Sequence, residues 1–232
     1  MVHRTVTRFV PGFTQSGTSW SPVADRVGGA TRLLDVSVAP DFVTTADGLG
    51  SGAGVFVGYS QGGRLCLQLA LDRPEVVHRL VLLSASPGIA DAAERAARVE
   101  ADERLAREIE RDGVDAFLER WLSLPLFATL PRERSGIDER KAHNSVESLT
   151  RQLRVLGQGV QPSNWERLGE LRMPVLLIAG ELDTKYVDLA QRMAARIPDV
   201  RVEIVPGAGH ACHLEQPEHV AQLVTSFAAD HS

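Results

Sequence analysis

The sequence predicts an α/β fold in which a mostly parallel β-sheet carries helices on both faces and holds an inserted helical cap. Three observations lead to this prediction. Short strand-like runs are apolar throughout, helical patterns separate them, and one long segment without a strand-like run interrupts the series. Strands that are apolar on both sides are typical of a parallel sheet covered on both faces.

Six runs are predicted as strands because aliphatic and β-branched residues cluster in them and turn residues follow. They cover residues 6–10, 33–38, 55–57, 80–84, 175–179 and 202–205. Apolar residues at helical spacing predict a helix over 63–71 and an amphipathic helix over 216–229. Residues 44–54, which end in a run rich in glycine and alanine, are expected to form a loop or a very short helix.

Residues 88–171 are predicted to form the cap, inserted into a single domain that spans residues 1–232. From residue 91 to residue 171 the chain is rich in Ala, Arg, Glu and Leu, and its pattern is helical almost throughout. A length of 232 residues suits one large domain, and no repeat, low-complexity tract or linker divides the sequence.

The composition and charge narrow the classes of partner that the protein is expected to bind. Twenty-five basic and 30 acidic residues give a net charge of −5, which argues against nucleic acid or an anionic membrane as the main partner. An anionic small-molecule substrate stays possible, because it responds to local charge. No stretch is apolar enough to span a bilayer, and residues 1–5 lack the apolar core of a signal peptide, so a cytoplasmic location is expected.

The two cysteines, Cys66 and Cys212, belong to no metal-type cluster, so no metal site is predicted. Both are expected to be small buried hydrophobic residues in a reducing compartment. The sequence leaves open whether the protein is a monomer or a homo-oligomer.

Residues 58–62, Gly-Tyr-Ser-Gln-Gly, fit the G-x-S-x-G pattern of a nucleophile elbow between a predicted strand and a predicted helix. The serine of an elbow occupies a strained turn, and side chains at the flanking glycines would clash. The N-terminus of the following helix faces the site where negative charge develops. This context predicts an α/β-hydrolase fold with Ser60 as the reactive serine, rather than a glycine-rich turn with an incidental serine.

His210 and Asp183 are predicted to complete a catalytic triad with Ser60. Each follows a predicted strand, and parallel strands end at the same edge of a sheet. The chain order serine, acid, histidine is that of α/β-hydrolases. A histidine that accepts the serine proton needs a carboxylate to orient it. Glu181 is the rival acid, and Asp183 could instead be only a turn-forming residue.

An oxyanion needs two preorganised donors. The backbone N–H of Gln61, the residue after the nucleophile, is predicted to be one of them. The backbone N–H of Phe13, in the loop after the first strand, is predicted to be the other.

Six segments together point to one family. They are VPGFTQSGTSW (10–20), GYSQGGR (58–64), SASPGI (84–89), FLERW (117–121), PLF (125–127) and GAGHACHLEQP (207–217). They resemble 2-succinyl-6-hydroxy-2,4-cyclohexadiene-1-carboxylate synthase, a menaquinone-biosynthesis family within the α/β-hydrolase superfamily. The resemblance implies a lyase that eliminates pyruvate from a succinyl-bearing cyclohexene polycarboxylate, with no metal or organic cofactor. It also implies that the triad abstracts a proton and forms no acyl-enzyme.

The resemblance marks Tyr59, Arg64, Arg98, Trp121 and Arg140 as substrate contacts. Guanidinium groups bind carboxylates bidentately, which suits a polycarboxylate. Three of these side chains also have a simpler interpretation. Arg64 could be a solvated residue of a first helical turn, Arg98 could belong to a solvated mixed-charge face, and Trp121 could be cap core.

The sequence departs from the family at four places, one of which is the missing Gly-His-Gly-type loop after the second strand. Pro11-Gly12 stands where His-Gly is usual, residues 41–54 are too short for a full helix, and the first one or two strands of the family are not expected. One sheet edge and one rim of the pocket are therefore predicted to be reduced. The alternative function is a carboxylic-ester or thioester hydrolase with Ser60 as nucleophile. A binding protein with a relic elbow is a third hypothesis, against which the intact triad argues.

Overall fold

The computed structural model describes residues 5–229, and these form a six-stranded sheet in which every strand pair is parallel. The strands are β1 (Val6–Val10), β2 (Ala30–Leu33), β3 (Gly54–Tyr59), β4 (Val77–Leu83), β5 (Val175–Gly180) and β6 (Val200–Val205). Their order across the sheet is β2-β1-β3-β4-β5-β6. The chain moves outward from β1 to β2 and then returns to the other side of β1. In such sheets, ligands bind beyond the carboxyl ends of the strands where the order reverses, here between β1 and β3.

Nine α-helices are assigned within the described residues. They are α1 (Ser21–Ala24), α2 (Phe42–Gly48), α3 (Gln61–Asp72), α4 (Ala92–Leu122), α5 (Ile137–His143), α6 (Val146–Leu156), α7 (Thr184–Ala194), α8 (Cys212–Glu215) and α9 (Pro217–Ala229). Alternate strand residues enter two separate apolar cores: Phe56 belongs to one, while Val55 and Val57 belong to the other. Helices α2, α3 and α7 contribute to the first core and α1 and α9 to the second. The predicted sheet with helices on both faces is therefore confirmed.

The position predicted for the second strand was wrong. The partner of β1 is Ala30–Leu33, whereas the prediction covered residues 33–38. Leu34, Val36 and Val38 are half-buried against the core and alternate with exposed residues, as in a strand. They lie beyond the paired residues of β1, so the chain is extended there without a ladder. An alternating pattern indicates that one face of a segment is buried. A β-strand also needs a neighbouring strand to which it is hydrogen-bonded, and the pattern does not show whether there is one.

The elbow strand extends further than the sequence predicted. It was predicted over residues 55–57 and covers Gly54–Tyr59, because the change of direction is concentrated in Ser60. The region before it, predicted as a loop or very short helix, contains the seven-residue helix α2. The Asp41 side chain begins that helix by accepting a hydrogen bond from the Thr44 N–H at 2.7 Å.

Between β4 and β5 the chain forms α-helices and short 3-10 helices, with no strand assigned in this segment of the described chain. Asp91 begins α4 by accepting a hydrogen bond from the Glu94 N–H at 2.8 Å, and Gly113 interrupts the helix with a φ of 79°. An apolar cluster that includes Ile109 of α4 and Leu149 of α6 joins these two helices. Ion pairs between them are exposed, so the apolar contacts contribute most to their packing.

Candidate active site

Ser60 lies in a strained turn between β3 and α3, with φ 49° and ψ −109°. A Cβ atom at Gly62 would lie 2.4 Å from the carbonyl oxygens of Val10 and Pro11. A Cβ atom at Gly58 would lie 2.6 Å from the Gly62 carbonyl oxygen. The prediction that side chains at both flanking glycines would clash is confirmed, and the turn holds Ser60 at the carboxyl end of β3.

Ser60, His210 and Asp183 form one hydrogen-bonded chain. His210 Nε2 lies 3.3 Å from Ser60 Oγ, and His210 Nδ1 lies 2.6 Å from Asp183 Oδ2. The three residues follow β3, β6 and β5, so the common carboxyl edge of the sheet brings them together. Because an ionised carboxylate only accepts, Nδ1 carries the proton and Nε2 can accept the proton of the Ser60 hydroxyl.

Glu181, the rival acid, makes a different contact. Its Oε2 accepts a hydrogen bond from the Gly207 N–H at 2.8 Å, and its side chain is exposed. The carboxylate that contacts His210 in the structure is therefore that of Asp183.

Phe13 and Gln61 lie near Ser60 because β1 and β3 are neighbours, with Val10 paired to Gly58. Gln61 is the first residue of α3, so its backbone N–H has no acceptor within the helix. Both residues line the same cavity as Ser60. Their role as oxyanion donors stays a prediction, and this placement is compatible with it.

A cavity of about 260 Å³ opens above the elbow. Nine of the ten predicted site residues line it: Phe13, Tyr59, Ser60, Gln61, Arg64, Arg98, Trp121, Arg140 and His210. The tenth, Asp183, is buried against His210. The structure thus brings together residues that are spread over most of the chain.

Two guanidinium groups of this cavity, those of Arg64 and Arg140, are buried without a carboxylate partner among the described residues. Their exposed fractions are 6% and 4%. Arg64 donates to the side-chain oxygen of Gln161 at 3.2 Å. Arg140 donates to the Ser135 carbonyl oxygen at 2.8 Å and to the Thr14 hydroxyl. Burial lowers the pKa of both arginines to about 10, since the charged form is poorly solvated. The alternative of a solvated Arg64 is wrong.

Arg98 reaches the cavity from α4 and has a charged partner. Its Nε donates to Asp102 Oδ1 at 2.8 Å, and its Nη1 donates to Gln158 Oε1 at 3.0 Å. Burial raises the pKa of Asp102, and the adjacent Arg98 opposes that shift. Arg98 therefore lines the cavity, but its side chain is 36% exposed and its charge is partly compensated by Asp102.

Trp121 packs against the apolar cluster that joins α4 and α6 and also lines the cavity. Its ring meets Phe13 edge-on at 5.4 Å and packs with Phe117 at 5.8 Å. Its indole Nε1 is buried and lacks an acceptor within residues 5–229. Tyr59 is buried against His210 and His213, and burial raises the pKa of its hydroxyl well above 10, so the phenol is neutral.

The sequence analysis missed four polar residues near the cavity. Lys185 and Tyr186 lie in the first turn of α7, which follows Asp183, and the Tyr186 ring packs on His210 with centroids 4.7 Å apart. Their position beyond the carboxyl end of β5 is the signal that could have found them. Gln158 and Gln161 follow α6 in irregular structure, and no sequence pattern marks them.

The described part of the chain holds no cluster of three or more His, Cys, Asp or Glu side chains arranged to bind a metal ion. Cys66 and Cys212 are free and buried, as predicted, and burial raises the pKa of both thiols. No helix within residues 5–229 has the length and apolar character needed to cross a membrane.

Comparisons with known proteins agree with this geometry. A Bacillus subtilis (strain 168) protein, provisionally named 2-succinyl-6-hydroxy-2,4-cyclohexadiene-1-carboxylate synthase, is 41% identical over 175 residues, which are 74% of this chain and 64% of that protein. A Salmonella heidelberg (strain SL476) protein of the same name is 29% identical over 95% of this chain and 91% of its own length. These names confirm the resemblance seen in the sequence.

The structure of MenH from S. aureus superimposes with a TM-score of 0.88 at 27% identity, and the match covers 96% of this chain and 92% of that one. The model of the alpha/beta hydrolase family matches residues 9–223. This chain therefore belongs to the alpha/beta hydrolase family.

Proposed function

We propose that this protein is a 2-succinyl-6-hydroxy-2,4-cyclohexadiene-1-carboxylate synthase, a menaquinone-pathway lyase that eliminates pyruvate from a polycarboxylated cyclohexene. The observation that carries the proposal is the pair of buried guanidinium groups, Arg64 and Arg140, which no carboxylate of the described residues pairs. A buried charge without a partner destabilises a fold. A substrate with several carboxylates would supply the missing partners. The names of the two relatives support the same activity.

The walls of the cavity fit a carboxylated ring. Trp121, Phe127 and Leu153 provide apolar surface, and the two arginines line the same space. The ring of the substrate would pack on the apolar wall, while its carboxylates would meet the guanidinium groups. The buried Trp121 N–H, which has no acceptor within residues 5–229, would donate to a substrate oxygen.

In the proposed elimination, the Ser60 oxygen takes a proton from a substrate carbon as its own proton passes to His210 Nε2. The carbon–oxygen bond to the leaving group breaks, and its electrons leave with that oxygen. The electrons of the C–H bond form the new carbon–carbon double bond. The leaving group takes up a proton and is released as pyruvate. Asp183 holds His210 in the tautomer that this transfer needs, and the Phe13 and Gln61 N–H groups would stabilise negative charge on a substrate oxygen.

We further propose that residues 88–171 act as a cap over this site, because Arg98, Trp121 and Arg140 reach the cavity from that segment. The expected location is cytoplasmic, which the two buried free thiols support. The expected partner is a small anionic molecule rather than nucleic acid, as the mild net negative charge indicates.

The alternative function is a carboxylic-ester or thioester hydrolase. The 3.3 Å contact between Ser60 Oγ and His210 Nε2 in a strained elbow also suits nucleophilic attack on a carbonyl. A hydrolase for neutral acyl groups would use the apolar wall and would leave the charges of Arg64 and Arg140 without a function.

The test compares two substrate classes on one purified enzyme. The protein is incubated with the succinyl-bearing cyclohexene polycarboxylate of the menaquinone pathway and, separately, with short p-nitrophenyl esters, and a Ser60→Ala variant serves as the control. We expect pyruvate release that depends on Ser60 and exceeds ester hydrolysis in kcat/KM. Ester hydrolysis without pyruvate release would replace the lyase with the hydrolase.

A further inference from the structure

The carboxylate of Glu215 holds the loop that carries His210 by one hydrogen bond on each side of the histidine. Its Oε2 accepts the Gly209 N–H at 2.8 Å, and its Oε1 accepts the Ala211 N–H at 3.2 Å. The residue is only 7% exposed. Hydrogen bonds to an ionised acceptor are about twice as strong as neutral ones, so the two backbone units that flank His210 are firmly held.

Glu215 is itself fixed by contacts of its backbone. Its N–H donates to the Ala211 carbonyl oxygen at 3.1 Å, and its own carbonyl oxygen accepts from Arg134 Nη1 at 2.8 Å. The loop also packs closely on the cap, since a Cβ atom at Gly209 would lie 2.2 Å from the Thr129 hydroxyl oxygen. The backbone of Glu215 is therefore held in place, and its carboxylate has a fixed position.

We propose that Glu215 is a positioning residue that sets the His210 imidazole against Ser60. The proposal rests on the proton relay of the proposed function. His210 Nε2 lies 3.3 Å from Ser60 Oγ, at the long end of the hydrogen-bond range, so a small shift of the loop would break the contact. Glu215 does not line the cavity, so its effect on the reaction passes through the loop that carries His210. A displacement of about 1 Å in a catalytic group can cost about a hundredfold in rate.

Two variants of Glu215 weaken its hold on the loop to different degrees, and one variant of Glu181 provides the control. Glu215→Ala removes both acceptors, and Glu215→Gln keeps the shape with one acceptor oxygen. Glu181 accepts the N–H of Gly207 in the same loop at 2.8 Å, but that residue does not adjoin His210. Glu181→Gln therefore alters a comparable contact without touching the histidine.

We expect kcat for pyruvate release to fall about 10- to 100-fold in Glu215→Ala and about three- to tenfold in Glu215→Gln. KM should stay within about threefold because the arginines of the cavity are unchanged. Glu181→Gln should keep the wild-type kcat. Hydrogen exchange should show faster exchange of the Gly209 and Ala211 amides in Glu215→Ala, which ties the loss of rate to the loop.

The rate at which a fluorophosphonate labels Ser60 reports the relay without the natural substrate, and it should follow the same order of variants. The positioning role would be overturned if the Glu215 variants kept the wild-type kcat and labelling rate. It would also be overturned if Glu181→Gln lost as much kcat and labelling rate as the Glu215 variants. If Glu215→Ala does not fold, a Glu215→Gln protein that labels at the wild-type rate overturns it as well. A wild-type enzyme that releases no pyruvate, yet shows labelling that depends on Glu215, would refute only the proposed function. A wild-type enzyme that is not labelled would refute the relay and the positioning role together.

Discussion

The Arg64 guanidinium donates a hydrogen bond to the side-chain oxygen of Gln161 at 3.2 Å. The Gln161 amide nitrogen in turn donates to the Ser86 carbonyl oxygen at 3.2 Å, so this buried amide joins α3 to the segment after β4. Because an amide is neutral, it orients Arg64 and leaves its charge uncompensated. The guanidinium is thereby fixed at the cavity with no carboxylate partner among the described residues.

Replacing Arg64 should separate the lyase from the hydrolase. For a polycarboxylate substrate, Arg64→Ala should lower kcat/KM by roughly 1.5 to 3.7 decades, because losing one charged contact in a partly dry site costs about 2–5 kcal/mol. Arg64→Lys should recover only part of the loss, since an ammonium group cannot make the two parallel hydrogen bonds that a planar guanidinium donates to a carboxylate. The measurement is kcat/KM of the three proteins on the polycarboxylate and on a neutral ester.

The control for this series is Arg104→Ala, which removes an arginine whose side chain is 66% exposed on α4. It should leave kcat/KM on both substrates within about threefold of the wild type. If Arg64→Ala lowered kcat/KM slightly and equally on both substrates, the hypothesis of a polycarboxylate substrate would be rejected.

The triad variants Ser60→Ala, His210→Ala and Asp183→Asn should each lower kcat by about 10²- to 10⁴-fold, because each removes part of one proton relay. The Ser60→Ala/His210→Ala double variant should be little worse than either single variant, since the residues act as a unit. Steady-state kinetics measures the losses, and circular dichroism checks that the fold is intact. Retention of near-full activity in Asp183→Asn, with its loss in Glu181→Gln, would falsify the assignment of the acid.

A side chain at Gly62 should damage the elbow. The added Cβ atom of Gly62→Ala would lie 2.4 Å from two carbonyl oxygens, and forced overpacking of this kind costs about 1–3 kcal/mol. Gly48→Ala is the matched control, because the new Cβ would meet no heavy atom within 4 Å beyond its chain neighbours and its own helix backbone, and the site ends α2. Urea denaturation should show lower stability only for Gly62→Ala. Equal stability and full activity in both proteins would contradict the elbow geometry.

The buried His213 should make the protein less stable in mild acid. Burial, reinforced by the charge of Arg140, lowers its pKa well below the ordinary 6.5, so the folded protein keeps the ring neutral. The unfolded chain takes up a proton below about pH 6.5, which favours unfolding by up to about 1.4 kcal/mol per pH unit. Stability should therefore fall as the pH is lowered from about 6.5 to about 5.

His213→Phe tests this dependence, because the ring packs between Trp20 and Tyr59, at 4.6 and 4.2 Å between centroids, and a phenyl ring can take its place. The free energy of unfolding, measured in urea across that pH range, should become flatter in His213→Phe. The same substitution at the exposed His78 should leave the slope unchanged. A slope that His213→Phe does not alter would show that other groups cause the acid sensitivity.

Local sequence patterns were enough to predict the α/β class, five of the six strands and the elbow. Each depends on neighbours in the chain: an apolar run, a glycine that a turn requires, or a helix that follows directly. Because parallel strands end at one edge of the sheet, the sequence alone also predicts that Ser60, Asp183 and His210 lie together. The second strand was misplaced because pairing with β1 decides its position, and the half-buried alternation continues past the paired residues.

Tertiary structure alone decided which polar groups hold these residues in place. Gln161 lies 97 residues from Arg64 in the chain, and Arg140 lies 126 residues from Thr14. Such contacts follow from how the segment between β4 and β5 packs on the sheet, which no local periodicity records. The sequence by itself determined the elements of the site and their order. The packing of distant segments determined that two of its charges are buried without carboxylate partners among the described residues, because burial and pairing depend on all the surrounding atoms at once.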